Sequence, residues 1–200
     1  MTRVKICGLT RIGDVESAVE LGASAVGFVL EHSSPRQTPF SDLARLIESV
    51  PPFVMSVAVI GRFEPSRVYN AFSAVQAIGV TLDRLEPSQI AISVYRPGSG
   101  DPLPAPEGCS AILLDAYSTE GFGGTGRRLD LQEARDAMAE STRPIIVAGG
   151  LRPENVGEVI RELRPFAVDV SSGVESRPGV KDLGAMRAFF EAVADADRPD

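Results

Sequence analysis

Eight short runs of mostly aliphatic, β-branched residues are spaced along this chain, with amphipathic or turn-rich stretches between them, and that alternation constrains the fold more than any other feature. The runs are Val4 to Cys7, Ala25 to Val29, Val54 to Ile60, Ala74 to Ile78, Ile90 to Val94, Ala111 to Leu114, Ile145 to Ala148 and Ala167 to Val170. Strand-like runs alternating with helical ones build parallel βα units rather than sandwiches. Apolar residues at helical spacing after acidic or Ser starts predict helices at Asp14 to Leu21, Asp42 to Ser49, Pro65 to Phe72, Asp130 to Ala139, Glu154 to Leu163 and Leu183 to Ala194. The fourth helix shrinks to a turn around Pro87 to Gln89. The fifth is missing, because Pro97 to Gly108 holds four prolines and three glycines that neither helix nor strand tolerates. The expectation is an α/β fold, a (β/α)8 TIM barrel with a shortened fourth and missing fifth helix. It fills one domain over residues 1–200, with a tail that frays from about residue 195. Two hundred residues lie near the lower limit for such a barrel, which leaves no room for a second domain.

Charge and composition narrow the classes of partner. A net charge of -7 disfavours nucleic acid or an anionic membrane, both of which need a general positive field. An anionic ligand would instead need a local site, which helix N-termini can supply. The charged start Thr2-Arg3-Val4-Lys5 lacks the apolar core of a signal peptide and no apolar run reaches transmembrane length, so a cytoplasmic location is expected. Cys7 and Cys109 are too few for a disulfide framework and have no metal-ligand spacing, so both are expected as reduced thiols. The single histidine, His32, argues against a centre with several His ligands; it is given no role and no metal or cofactor is expected. Monomer and homodimer both stay open.

In a barrel the reacting groups come from the C-terminal ends of strands and the loops that follow. Cys7 ends the first strand directly before Gly8, and Asp115 ends the sixth. Alone, Cys7 reads equally as a small core residue and Asp115 as a strand-end cap. Together they put a thiol and a carboxyl group at one pocket, which suits a reaction that delivers one proton and removes another. A modest electropositive bias would give useful thiolate near neutral pH. Gly149-Gly150 precedes the helix from Glu154 and Ser171-Ser172-Gly173 follows the eighth strand, where barrels commonly hold phosphate. Gly121 to Gly126 reads either as a lid or as a flexible connection. Arg36 is either surface charge or a bidentate grip on a carboxylate.

The segments Lys5-Ile6-Cys7-Gly8-Leu9-Thr10, Ser34-Pro35-Arg36, Leu114-Asp115, Gly123-Gly124-Thr125-Gly126, Ala148-Gly149-Gly150-Leu151, Pro153-Glu154-Asn155-Val156 and Asp169 to Glu175, extended by Pro178 to Asp182, keep one order from end to end. In that order they resemble the phosphoribosylanthranilate isomerase family. The resemblance implies a cofactor-free Amadori rearrangement in tryptophan biosynthesis, from N-(5-phosphoribosyl)anthranilate to 1-(2-carboxyphenylamino)-1-deoxyribulose 5-phosphate. It implies Asp115 as the acid, Cys7 as the base, Arg36 on the anthranilate carboxylate, and Gly149, Gly150, Ser171, Ser172 and Gly173 around the phosphate. Burial in a closed site should then raise the Asp115 pKa.

The middle of the chain departs from that family. Gln76-Ala77-Ile78-Gly79 replaces the usual Gln-Leu-His-Gly, the Asn after the third strand is absent from Val59 to Arg62, and the fifth strand lacks Lys-Ala in Ala91 to Val94. One wall of the pocket is therefore changed. A non-catalytic or specificity-altered phosphosugar-binding barrel of the same family is the competing reading, against which stands the retention of both an acid and a base.

Overall fold

The computed structural model describes residues 1–116 and 129–198, so the candidate lid at Gly121 to Gly126 lies outside the described residues. Eight strands close into a barrel: β1 (Arg3–Cys7), β2 (Ala25–Val29), β3 (Met55–Arg62), β4 (Ala74–Ile78), β5 (Ile90–Tyr95), β6 (Ala111–Leu114), β7 (Ile145–Val147) and β8 (Ala167–Val170). Neighbours run parallel throughout, and β8 pairs back onto β1 with Lys5 opposite Asp169. Every strand falls on a run expected from the sequence. Among the described residues no helix is long and apolar enough to cross a membrane.

Among the described residues five α-helices surround the barrel: α1 (Ile12–Glu20), α2 (Phe40–Glu48), α3 (Leu131–Glu140), α4 (Pro153–Leu163) and α5 (Leu183–Ala196). Asp130 caps α3 through the amides of Gln132 and Glu133, and Asp182 caps α5 through Ala185. The last helix is tied down where it ends, since the Asp197 carboxylate accepts from the amide and hydroxyl of Thr2.

The helix expected at Pro65 to Phe72 is instead a 3-10 turn, Arg67–Ala71, capped by Ser66. Within that turn only Tyr69 is buried, too little apolar surface for an amphipathic α-helix to form against the barrel. The short fourth connection is also a 3-10 turn, but it lies at Leu82–Arg84 rather than around Pro87 to Gln89. Gln89 goes elsewhere: its buried amide donates to the carbonyls of Tyr69 at 2.6 Å and Phe72 at 3.1 Å, pinning the third connection. The fifth connection contains one 3-10 turn, Pro106–Gly108, and no α-helix. After β8 comes a short antiparallel hairpin of β9 (Glu175–Arg177) and β10 (Val180–Lys181) that was not anticipated.

Two apolar layers follow from the alternation of side chains along each strand. Val4 and Ile6, Val26 and Phe28, and Val168 and Val170 face the helices within the larger cluster. Val57, Ala74, Ile92, Ala111, Leu113, Ile146, Ala148 and Ala167 fill the interior of the barrel. The β1 side of that interior carries Lys5 and Cys7 instead of aliphatic side chains, and β8 adds Asp169.

Candidate active site

The same alternation delivers side chains to the mouth of the barrel. Continuing the inward phase from Lys5 gives Cys7, from Leu113 gives Asp115, from Ala148 gives Gly150, and from Asp169 gives Ser171. All of these line one cleft of about 880 Å³ including its open mouth, a size suited to a small-molecule ligand. Arg36, Gly149 and Ser172 line it too. Gly173, the remaining expected site residue, does not line the cleft itself and sits in the 3-10 turn Ser172–Val174, where the β8 loop meets the β7 loop. His32 is exposed outside the cleft, hydrogen-bonded to Gln37.

Asp115 ends β6 with its amide donating to the Tyr95 carbonyl. Burial pushes its carboxyl pKa up to about 6, against the opposing pull of Arg96; Asp169 adds to the rise, and the Ala116 amide and Lys5 act against it. The direction matches the sequence expectation, and the cause is the desolvation proposed there. Cys7 differs from its expectation. An electropositive bias is present, since Lys5 and Lys181 both pull the thiol pKa down, but burial outweighs them and, with Asp169, leaves it above the ordinary value. The thiol is thus the resting form of Cys7.

The rim after β7 and β8 is made by two loops in close contact. A side-chain carbon at Gly173 would lie 1.9 Å from the Leu151 carbonyl oxygen, so only glycine lets the β8 loop pass the β7 loop. Gly149 has φ +86°, and a side-chain carbon there would meet the Ala116 amide nitrogen at 2.7 Å and Asp115 Oδ1 at 3.3 Å. Asn155 locks the turn, accepting from the Arg152 amide at 2.7 Å and donating to the Gly150 carbonyl at 3.0 Å. The buried Ser171 hydroxyl has no hydrogen-bond partner among the described residues. Such a group costs stability unless a ligand satisfies it.

Arg36 reaches the cleft through a network that sequence reading missed. Its Nε lies 3.0 Å from both carboxylate oxygens of Glu175, and its Nη2 is 2.8 Å from Oε2. Glu175 also accepts from Lys181 Nζ at 2.8 Å, and Lys181 donates to the carbonyls of Cys7 at 2.5 Å and Ser171 at 3.2 Å. Burial works against the Glu175 anion, but Arg36 and Lys181 outweigh it and hold its carboxyl below the usual range. The side-on fork of Arg36 is therefore occupied, and Nη1 takes no part in that ion pair.

Other cleft residues to which the sequence reading assigned no site role are Glu31, Gln76, Arg96 and Asp169. Each lies on the inward phase of its strand or just beyond it, a signal that two-residue counting from Gly27, Ala74, Val94 and Ala167 would have found. The altered wall is real as geometry: Val59, Ile60, Gly61 and Val94 line the cleft on the β3 and β5 side. Among the described residues no group of three or more His, Cys, Asp or Glu could hold a metal ion.

The comparisons with known proteins agree with this geometry. Residues 4–192 match the family model described as N-(5'phosphoribosyl)anthranilate (PRA) isomerase. The N-(5'-phosphoribosyl)anthranilate isomerase of Trichlorobacter lovleyi is 42% identical over 98% of this chain and 100% of its own length. The crystal structure of phosphoribosyl anthranilate isomerase from Thermus thermophilus superposes with a TM-score of 0.83 at 34% identity, covering 97% of this chain and 99% of that one. A phosphoribosyl anthranilate isomerase in complex with reduced 1-(o-carboxyphenylamino)-1-deoxyribulose 5-phosphate has a TM-score of 0.76 at 32% identity, covering 98% and 100%.

Proposed function

This chain belongs to the N-(5'-phosphoribosyl)anthranilate isomerase family, and from that premise we propose which groups carry the Amadori rearrangement it performs in tryptophan biosynthesis. Asp115, protonated by virtue of its raised pKa, gives its proton to the furanose ring oxygen, and the sugar opens to a protonated imine. Thiolate Cys7 then removes the proton from C2 of the ribose, and the enolamine tautomerises to the ketone. Proton count is conserved, one delivered to oxygen and one taken from carbon, so no redox partner is needed.

The observation that carries this reading is that a carboxyl group raised to about 6 and a thiol from β1 open into one cleft across the barrel from each other. The reacting form has Asp115 protonated and Cys7 ionised. With Asp115 near 6 and the Cys7 thiol held above its ordinary value by burial, that form is a small minority between the two values. Arg36 meets the anthranilate carboxylate through the Nη1 and Nη2 end of its guanidinium, while Glu175 keeps the other edge. The phosphate sits at the rim formed by Gly149, Gly150, Ser171, Ser172 and Gly173, a reading supported by the unpartnered Ser171 hydroxyl and by α4 beginning just beyond. Each group of this cleft comes from one chain, so monomer and homodimer are equally compatible with it. A cytoplasmic location fits two free, buried cysteines.

Steady-state turnover of N-(5'-phosphoribosyl)anthranilate tests the assignment. The wild-type chain turns the substrate over, whereas Cys7→Ser and Asp115→Asn lose turnover by at least about a hundredfold while retaining phosphate binding. Near wild-type turnover in either variant removes that residue from the chemistry.

A further inference from the structure

We propose that Lys5 is the positioning residue of the base: its buried ammonium, anchored on Asp169 and given room by the bare α-carbon of Gly27, stabilises the ionised form of Cys7. The proposal rests on the reading of Cys7 as the base. Lys5 and Cys7 are two residues apart on β1, so both point into the barrel. Lys5 is 2% exposed and its Nζ lies 2.9 Å from Asp169 Oδ1. An ammonium at that depth would tend to lose its proton, and burial does act in that direction, but Asp169 and Cys7 outweigh it and hold the pKa of Lys5 above the ordinary value. Lys5 is a permanent cation beside the sulfur.

Structure alone gives no reason for an ion pair in this position. The remaining interior is filled by Val57, Ile92, Leu113, Ile146 and smaller aliphatic residues. Replacing a buried ion pair by aliphatic side chains is often neutral or stabilising. The pair instead lies directly beneath the thiol. Gly27 of β2 shows how closely the groups are gathered, since a side-chain carbon there would lie 2.9 Å from Cys7 Sγ, 3.1 Å from Lys5 Cε and 3.2 Å from Lys5 Nζ. The charged groups facing Cys7 are Lys5 from its own strand, Asp169 from β8 and Lys181 from β10. Lys5 and Lys181 favour the thiolate, and Asp169 opposes it. Because the reacting protonation state is a minority, any change in thiolate stability passes directly into kcat/KM.

The test uses the full chain with Cys109→Ala, which leaves Cys7 as the only thiol; Cys109 is buried outside the cleft. Thiolate formation is followed without substrate, by ultraviolet absorbance and by the rate of iodoacetamide alkylation across pH, and kcat/KM is measured beside it. Lys5→Met removes the cation and leaves the Asp169 carboxyl group, whereas Lys5→Met with Asp169→Asn removes both charges with little change of shape. The titration midpoint of Cys7 moves upward in both, at least as far in the single variant as in the double. Alkylation near neutral pH slows about tenfold for each unit of that movement. Should the single variant fail to fold, the neutral double variant carries the measurement. A folded double variant that titrates and alkylates as the parent does overturns the proposal. Failure of Cys7→Ser to affect turnover would instead remove the base itself, so the two failures are told apart.

Discussion

In the proposed mechanism Asp115 and Cys7 carry pKa values ordered opposite to their tasks: the acid ionises near 6, and burial holds the base above the ordinary thiol value. A pair of this kind gives a bell-shaped kcat/KM profile whose limbs look assigned the wrong way round. Below about 6 activity rises with pH because Cys7 ionises more readily while Asp115 stays protonated; between the two values the gains and losses cancel, and above the thiol value protonated Asp115 becomes too scarce. We therefore predict that kcat/KM stops rising near pH 6 in the wild-type chain, whereas the residual activity of Asp115→Asn goes on rising with pH toward the thiol value. A levelling near 6 that survives in the variant would belong to another group. Arg36→Ala is expected to raise KM by about 10- to 100-fold, since it leaves the substrate carboxylate without a charge-assisted partner in a buried site. It also leaves Glu175 with only Lys181 and the Gly179 amide as partners, so a smaller fall in kcat accompanies it. An unchanged KM would place the substrate carboxylate elsewhere. Cys7, Asp115 and Arg36 were legible because each follows a strand or sits in a distinctive motif. Glu175 and Lys181 were not, because their meaning lies in an ion network joining residues 139 positions apart in the chain.

The loops after β7 and β8 behave as one element, fastened by Asn155 below and by the glycine contact above. Gly173→Ala forces a methyl group against the Leu151 carbonyl, so the loops must separate. The expected outcome is a KM for the phosphorylated substrate raised about tenfold or more, together with a loss of stability of about 1–3 kcal/mol, measured by steady-state kinetics and chemical denaturation. Wild-type values for both would show that the loops do not need that approach. The strands were readable because each buried run alternates cleanly with turn chemistry. The third helix was misread because helical spacing in Pro65 to Phe72 is compatible with one 3-10 turn, and only packing decides between them: Gln89 fixes the Tyr69 and Phe72 carbonyls in the short form. The β9 and β10 hairpin escaped notice because strands of three and two residues leave no periodic signal.

At the scale of the whole molecule, the site is kept at a cost to the fold. Raising the Asp115 pKa from 3.8 to about 6 means that the folded protein prefers the neutral acid. As pH rises through 3.8 the unfolded chain ionises first, and stability is lost progressively until the folded carboxyl group ionises near 6; above that the penalty is complete, at about 3 kcal/mol. Asp115→Asn is thus expected to lose most of its turnover yet be more stable than wild type at neutral pH, with the difference shrinking as pH falls from 7 toward 5. Denaturant titrations at several pH values check this, and a pH-independent difference would remove the linkage. By itself the sequence determined the eight strands, their parallel pairing into a closed barrel and the end of the barrel that holds the chemistry, because period and turn residues are local properties that do not depend on what packs where. Only the tertiary structure decided that Cys7 rests as a thiol, that Arg36 is braced by Glu175, and that Lys5 and Asp169 form an ion pair beneath the base. Those properties depend on burial and on charges from strands far apart in the chain, and neither exists until the barrel closes.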